Sequence, residues 1–434
     1  MTAEQLVQAA ERMTEDAVSA ALVRDTKSTD GFWLKSSLSF FPNSKMNHLS
    51  NPRKDDGTIA AAVRKWRSPP EQENRPGVEC VLCGRDSVGF YGKVDVPLAE
   101  SNLYRNSTPR GQCGTALCWP CLCAFHALPY GCRLTGGPSI ALHSWDERFM
   151  ARTVSRRVDE NRRLIALEKP SAPSSRTREV LALHALRRHE DRLTAGVELL
   201  VFSNNNRGQT LEIQSMEQPI AEWLRRSARV PERRRGFRAL LKAHVRDGRP
   251  GVVGLARNAF RSPELIVGAC GRYMAYRPGD TKRREDIVEL AELCLSFVVE
   301  VMHVKQSEVD QINALGRQLA AWFVAKGSAG ELRKFNATLR DGRRMRHWLR
   351  RTNLDALLDP KKPVDGPLIS EAQFRMLFDP EEEQAWLHRE LLIVALSQYL
   401  HELEFDPTDR AEVAAEIADE DDHPEDNEFI EGED

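Results

Sequence analysis

The 434 residues include 41% hydrophobic and 29% charged side chains, a composition typical of a globular protein rather than a disordered or fibrous one. No segment approaches the roughly 18 uninterrupted apolar residues that a membrane-spanning helix needs, so we expect no membrane partner. The N-terminus, MTAEQLVQAAERMTED, lacks the basic and apolar regions of a signal peptide, which favours a cytoplasmic location.

The formal net charge of −2 hides an uneven distribution along the chain. Residues 411–434 contain twelve Asp and Glu and no Lys or Arg, and without these twelve carboxylates the net charge becomes +10. We expect this acidic tail to be solvated and disordered. The basic remainder of the chain indicates a polyanionic partner such as nucleic acid.

The hydrophobic patterning predicts an α+β protein. Residues 2–24 have helical periodicity and begin with the capping-box pattern Thr2-x-x-Gln5. Residues 25–79 are irregular, and their aromatic side chains predict that this stretch packs against a core. Two β-rich runs within 196–215 flank an Asn-Asn-Asn-Arg-Gly turn, which predicts a β-hairpin. Helical patterns dominate from residue 217 onward.

We therefore expect a mixed N-terminal part, with a four-cysteine zinc knuckle and a hairpin, followed by a C-terminal α-helical bundle. Residues 384–403 are expected to form one strongly amphipathic helix of that bundle. The predicted regions are an N-terminal helix with an irregular segment (1–79), a zinc-knuckle region (80–135), a mixed α/β region with the hairpin and a basic cluster (136–283), the helical bundle (284–410) and the acidic tail (411–434).

Seven of the nine cysteines lie between residues 80 and 132, and four of them form two CxxC pairs. Cys80 and Cys83 are followed by Gly84, and Cys118 and Cys121 come after an interval of 34 residues. Two tight turns, each presenting two thiolates, complete the tetrahedral coordination that structural Zn²⁺ prefers. Four thiolates leave no open position for water, so the site is predicted to be structural rather than catalytic.

Other readings of the cysteines remain open. The competing ligands are Cys113 and Cys123, and His126 could replace one thiolate, although a packed histidine is the alternative for it. Cys132 is expected to be a small core residue, and the alternative to a metal site is a set of buried free thiols. The pair spacing also resembles zinc-containing HNH nucleases, but these need a histidine base, and no histidine occurs from 80 to 121.

No nucleotide-binding, metalloprotease or hydrolase motif is present either, so we predict that the protein is not an enzyme.

Two segments are strongly basic and rich in arginine, whose planar guanidinium suits bidentate contact with phosphate. The first arginine cluster comprises Arg225, Arg226, Arg229, Arg233, Arg234, Arg235 and Arg238. The second arginine cluster comprises Arg343, Arg344 and Arg346. Neither cluster shows the interleaved aromatics of a base-stacking platform, so backbone binding is predicted rather than sequence reading. Contact with proteins, or a solvated helix face, is the alternative.

A polar stretch near the N-terminus contains donors suited to base edges, namely Asn43, Lys45 and Asn47. These residues are candidates for reading a DNA motif. A purely structural turn is the alternative interpretation of the same segment.

The order of these parts resembles a known family. CVLCG at 80–84 precedes LCWPCLCAFHALPYG at 117–131, where the second CxxC pair runs directly into an apolar helix. The β-rich segment ELLVFSNNNRGQTLEIQS and a long helical region follow. This arrangement resembles the zinc-knuckle-bearing large subunits of type I CRISPR interference complexes (Cascade), in particular the I-B-like branch.

The resemblance implies a non-catalytic subunit that recognises the protospacer-adjacent motif in duplex DNA, supports R-loop formation and docks a downstream effector. The implied partners are crRNA, target double-stranded DNA, the backbone and guide-end-capping subunits of the complex, and a recruited helicase-nuclease or transposition protein. It further implies that a separate small subunit could arise from an internal start, for which Met302 is suitable. The alternatives are an HNH-like nuclease relative from a mobile element and a zinc-stabilised scaffold that binds only proteins.

Overall fold

The computed structural model describes two compact units, Met1–Gln218 and Pro219–Asp434. The described residues are 2–23, 40–48, 50–99, 114–133, 138–166, 178–205, 208–246, 248–275, 285–339, 341–358 and 366–421. The division between the units lies inside the region 136–283, which the sequence groups together. The hairpin therefore belongs to the first unit, and the first arginine cluster belongs to the second.

The first unit combines helices with two small antiparallel sheets. Its helices are α1 (Ala3–Leu22), α2 (Asp56–Trp66), α3 (Trp119–Gly131), α4 (Glu147–Ala166) and α5 (Val180–Arg188). Its strands are β1 (Gly89–Tyr91), β2 (Thr115–Leu117), β3 (Ser139–His143), β4 (Val197–Asn205) and β5 (Gly208–Met216).

The start of α1 has the predicted capping box. The Thr2 hydroxyl accepts a hydrogen bond from the Gln5 N–H at 3.2 Å, and the Gln5 amide oxygen accepts one from the Thr2 N–H at 2.9 Å. Small residues of α1 pack against α2 and against a core that contains the fully buried Phe40 and Phe41. The aromatics at 40–66 thus pack as expected, while Trp33 lies outside the described residues. The expectation that 25–79 is irregular is wrong for Asp56–Trp66, which forms α2 with Asp55 as its N-cap.

The predicted hairpin is confirmed, and it forms part of a larger sheet. Strand β4 pairs with β5 from Val197↔Met216 to Asn205↔Gly208, and β3 pairs with the other edge of β4. Near the turn, the buried Asn204 side-chain amide donates to the Phe40 carbonyl at 2.8 Å and to the Lys93 carbonyl at 2.9 Å. These two hydrogen bonds connect the sheet to the backbone at Phe40 and to the segment that follows β1.

The second unit is helical throughout its described residues, which confirms the predicted helical C-terminal part. Its helices are α6 (Gln218–Arg229, beginning at the division), α7 (Arg234–Ala243), α8 (Gly251–Arg261), α9 (Leu265–Met274), α10 (Ile287–Glu300), α11 (Gln306–Lys326), α12 (Ala329–Asn336), α13 (Gly342–Leu358), α14 (Glu371–Phe378), α15 (Ala385–Glu402) and α16 (Arg410–Asp421). None of the helices formed by the described residues is both long enough and apolar enough to span a membrane.

Helix α15 is the centre of this unit rather than an amphipathic surface helix. It packs against α9, α10, α11 and α14, and it buries apolar side chains on successive turns in every direction, including Leu391, Leu392 and Val394. A helix surrounded by other helices has no polar face to display, so the expected amphipathicity is wrong. Contact with α11 is close, because a Cβ on Gly316 would lie 2.6 Å from the Ala395 Cβ.

The first part of the acidic tail is helical. Residues Arg410–Asp421 form α16, so the first part of the tail that was expected to be disordered is helical. The preceding Asp409 is anchored, since its carboxylate accepts hydrogen bonds from the Ser328 hydroxyl at 2.7 Å and the Ala329 N–H at 2.6 Å. Residues 422–434 lie outside the described residues.

Candidate metal centre and nucleic-acid interface

The four cysteines of the two CxxC pairs converge, as their spacing predicts. Their Sγ atoms all lie within 4.8 Å of one another. The Cys83 Sγ is 3.4 Å from the Cys118 Sγ and 3.6 Å from the Cys121 Sγ. Four sulfurs bound tetrahedrally at ~2.3 Å from one ion would be separated by about 3.8 Å. The four cysteines could therefore hold a metal ion with little rearrangement.

The first pair lies in a tight turn before β1. The Gly84 N–H donates to the Cys80 carbonyl at 2.9 Å, and the Cys80 N–H donates to the Arg85 carbonyl at 2.7 Å. Gly84 has φ +70°, in the left-handed region where a side chain is disfavoured. The glycine after the first pair is thus required by the backbone of the turn.

The second pair lies at the junction of a strand and a helix, which differs from the predicted second tight turn. Cys118 follows β2 directly and is the N-cap of α3, and Cys121 is in the first turn of that helix. The N–H groups at a helix N-terminus stabilise negative charge, and at Cys118 the Cys121 N–H opposes part of the effect of burial on the thiol pKa.

Strands β1 and β2 hold the two pairs together. The Val88 N–H donates to the Leu117 carbonyl at 2.8 Å, and the Val81 N–H donates to the Ala116 carbonyl at 3.1 Å. Gly114 precedes β2 with φ +135°, and a Cβ there would lie 2.6 Å from the Tyr91 carbonyl oxygen. The short ladder therefore requires a glycine at its entrance.

Backbone N–H groups already favour a thiolate at the cluster. Burial alone would raise the pKa of the Cys80 thiol, but the N–H groups of Cys118, Leu82 and Cys83 outweigh it and lower this pKa to about 6. Burial raises the pKa of the Cys118 and Cys121 thiols. A bound cation would supply the charge that these two thiols need in order to ionise.

The competing cysteine and histidine ligands lie elsewhere among the described residues. Cys123 is buried outside the cluster, and burial raises the pKa of its thiol to about 11. Cys132 is a core residue beneath α1 and α2, and Cys113 lies outside the described residues. His126 packs among the rings of Phe41, Trp66 and Trp119, and burial lowers its pKa well below the usual range.

Much of the first arginine cluster is neutralised within the second unit. Arg226 and Arg233 both donate to the Glu300 carboxylate at 2.8 Å, and Arg235 lies 3.0 Å from Glu289. Both glutamates belong to α10, which packs against α7. The apparent excess of positive charge in the sequence is therefore partly compensated by residues distant in the chain.

The remaining members of the first cluster divide into two groups. Arg225 is only 11% exposed and pairs with Glu222 at 2.7 Å, and Arg229 is half-buried. Arg234 and Arg238 are exposed on α7 and make no ion pair with any described residue. Of the first cluster, these two are the side chains best placed to meet an external anion.

The second arginine cluster lies in the first turns of α13 and is exposed. Asp341 caps this helix, accepting hydrogen bonds from the Arg343 N–H at 2.8 Å and the Arg344 N–H at 3.2 Å. Arg344 is also near the Asp341 carboxylate, at 3.5 Å, whereas Arg343 and Arg346 make no ion pair within the described ranges. The sequence missed the aromatic neighbours of this cluster, because Phe374 and Trp386 come from α14 and α15.

The polar segment near the N-terminus is a pinned turn. Asn47 donates its side-chain amide to the Phe41 carbonyl at 3.3 Å, and Asn51 donates to the Lys45 carbonyl at 2.9 Å. Asn43 (φ +59°) and Lys45 are exposed. The structural interpretation thus holds for Asn47, while the side chains of Asn43 and Lys45 point to solvent.

No protein-family model, curated protein or solved structure matches this chain. The cysteine cluster and the exposed arginines are the features of this chain that indicate a function.

Proposed function

We propose that this chain is a non-catalytic subunit of a crRNA-guided DNA surveillance complex, with a structural zinc ion in the cysteine cluster and arginine faces that bind nucleic-acid phosphates. The order of parts along the chain supports the choice of complex. Four converging thiolates support zinc, since soft sulfur ligands in a tetrahedral set select this ion. Bound there, zinc would cross-link the turn before β1 to the start of α3.

The observation that carries the proposal is the placement of unpaired arginines at helix N-termini. Helices α7 and α13 both carry exposed arginines in their first turns, and of these Arg234 and Arg343 make no ion pair with a described residue. The α13 N-terminus is already capped by the Asp341 carboxylate, whereas α7 has no acidic residue in its first turn. Cations at a helix N-terminus oppose the helix dipole and do not stabilise the fold. An external anion would remove this unfavourable interaction, and nucleic-acid phosphates are the anions that arginine forks fit best.

In this proposal the protein contributes charge and shape, while base pairing with the guide reads the target. Such a division of labour needs phosphate contacts and only a few side chains that reach base edges. The exposed Asn43 and Lys45 are candidates for the latter role. The further partners in the proposal are the backbone and guide-end-capping subunits and a recruited helicase-nuclease or transposition protein.

The phosphate contacts are tested by the double variant Arg234→Gln and Arg238→Gln. We expect weaker binding to a duplex oligonucleotide. We also expect a shallower dependence of the logarithm of the binding constant on the logarithm of the salt concentration, with a slope smaller in magnitude by roughly one to two, because each lost phosphate contact removes about 0.9 from this slope. Fluorescence anisotropy at several salt concentrations measures both quantities.

A matched control removes the same charge from paired side chains. Lys334 (69% exposed) pairs with Glu331, and Arg375 (70% exposed) pairs with Glu371, each at 2.6 Å. The variant Lys334→Gln with Arg375→Gln should keep the wild-type slope. Equal losses of affinity in both double variants would show that binding depends only on the net charge of the protein. Unchanged affinity in both would favour a scaffold that contacts only proteins.

The assignment to a crRNA-guided complex is tested by recovering the tagged protein from its native host. We expect it to bring down a uniform RNA of repeat–spacer type together with a backbone protein present in several copies. Mass spectrometry and RNA sequencing identify these partners. A protein that is recovered alone and free of RNA would contradict the assignment, and metal-dependent cutting by the isolated chain would favour the HNH-like alternative.

A further inference from the structure

The second unit contains an open groove of about 630 Å³, formed where α13 begins, α14 ends and α15 begins. Arg343 and Arg346 line it from α13, Trp386 and Arg389 from α15, and Phe378 from the end of α14. This volume is within the range of small-molecule sites, about 300–1,000 Å³. The groove combines guanidinium groups with aromatic surface, a combination that the sequence of the second arginine cluster does not reveal.

The guanidinium groups of the groove are positioned by neighbouring elements. Arg389 donates from Nη1 to the Leu377 carbonyl at 2.7 Å, and its Cζ lies 3.4 Å from the position that a Cβ would take on Gly342. The Arg346 Cζ lies 5.6 Å from the centre of the Phe374 ring. None of the three groove arginines makes an ion pair with a carboxylate of the described residues, although Arg343 is attracted electrostatically to Asp341 and Arg389 to Glu390. Each guanidinium has several N–H donors, so donors remain for a ligand.

The groove also contains carboxylates, most of which are engaged by the backbone. Asp341 caps α13, Asp379 accepts from the Glu381 N–H at 3.1 Å, and Glu382 accepts from the Gln384 N–H at 3.2 Å.

The fourth lining carboxylate, Glu383, is exposed and makes no hydrogen bond with any described residue. The lining therefore has one more carboxylate than guanidinium groups. This balance disfavours a purely anionic ligand and suits one that has N–H donors as well as a phosphate, because carboxylates accept hydrogen bonds from the amino groups of bases.

Trp386 supplies the surface on which such a base could stack. Its indole is 40% exposed although α15 is otherwise mostly buried. Bases stack on exposed aromatic side chains in proteins that bind single strands, and nearby arginines contact the adjoining phosphates. A base inside a duplex cannot reach such a surface without unpairing.

We propose that this groove receives one unpaired base of a single-stranded nucleic acid, stacked on Trp386, with its phosphates on the groove arginines. This inference rests on the proposed nucleic-acid binding and names the form of nucleic acid that the second unit takes. It replaces the expectation, drawn from the cluster alone, that no stacking platform is present.

The test compares a 12-nucleotide single-stranded DNA with a blunt duplex of the same sequence, by fluorescence anisotropy. Trp386→Ala should weaken single-strand binding roughly fivefold or more, the loss expected for one base stack, and leave duplex binding unchanged. Trp386→Phe should retain most of the affinity, whereas Trp386→Leu, which keeps apolar volume without an aromatic face, should not. Trp145→Ala is the matched control, because Trp145 is 82% exposed in the first unit.

A direct readout is ultraviolet cross-linking of the full chain to the same single strand, with mass spectrometry of the conjugated peptides. We expect cross-links at Trp386 or Phe378, and circular dichroism verifies that each variant is folded. Single-strand affinity that is unchanged in Trp386→Ala, or binding of duplex only by the wild type, would overturn the groove assignment while leaving the proposed function standing. A wild-type chain that binds neither form would overturn both.

Discussion

Replacing Cys80 and Cys83 with serine is expected to remove about one equivalent of zinc per chain and to unfold the segment from the first cysteine pair to α3. The reason is that metal binding and folding are coupled in closed thiolate sites, where the apparent binding free energy reaches roughly 10–16 kcal/mol in isolated zinc-finger peptides. Elemental analysis by mass spectrometry gives the metal content, and thermal unfolding gives the loss of stability.

The control for this variant is Cys123→Ala, because Cys123 is as buried as Cys80 but lies outside the cluster. It should retain the metal and lose only the stability that a small buried side chain provides. Full metal content in the Cys80 and Cys83 variant would exclude these two thiols as ligands. A cluster that contains iron instead of zinc would leave the geometry intact and correct the identity of the ion.

Replacing Trp223 with alanine is expected to destabilise the second unit by about 3–5 kcal/mol. The indole is fully buried on α6, with its ring 4.9 Å from that of Phe297, and its Nε1 donates to the Ser296 hydroxyl at 2.9 Å. Alanine would leave a large cavity between α6 and α10. Chemical denaturation monitored by circular dichroism measures the change in unfolding free energy.

Trp223→Phe separates the packing from the hydrogen bond. It keeps an aromatic ring against Phe297 but lacks the donor to Ser296, whose own hydroxyl still donates to the Leu293 carbonyl at 2.8 Å. We expect a smaller loss, about 1–2 kcal/mol. An alanine variant as stable as the wild type would contradict this prediction and show that the packing of α6 against α10 contributes little to the stability of the second unit.

The features predicted correctly are those set by neighbouring residues in the chain. The Thr2 and Gln5 capping box needs three residues of separation, the hairpin is specified by a turn between two alternating runs, and a CxxC pair presents two thiolates from four residues. The convergence of the two cysteine pairs was also predicted, because two CxxC spacings together supply the four thiols that could hold one metal ion.

The features that the sequence did not reveal depend on residues far apart in the chain. Arg226 and Arg233 share one carboxylate, that of Glu300, which lies 74 and 67 positions away in the chain. The charge counted along the segment therefore overstates the positive charge that α6 and α7 present to a ligand. Trp386 and Arg343 line the same groove although they lie on α15 and α13, which are separated in the chain by α14. The central position of α15 likewise depends on four surrounding helices, which its own apolar pattern does not specify.

The ladder between β1 and β2 has a consequence for how this protein would diverge over evolutionary time. The entropy cost of closing a loop rises slowly with its length, by about 0.6 kcal/mol for each doubling, so the ladder tolerates a change in the number of residues that separate its two strands. Gly84 and Gly114, by contrast, have backbone conformations or contacts that exclude side chains. Homologous chains are therefore expected to vary in the number of residues between β1 and β2 while retaining these two glycines.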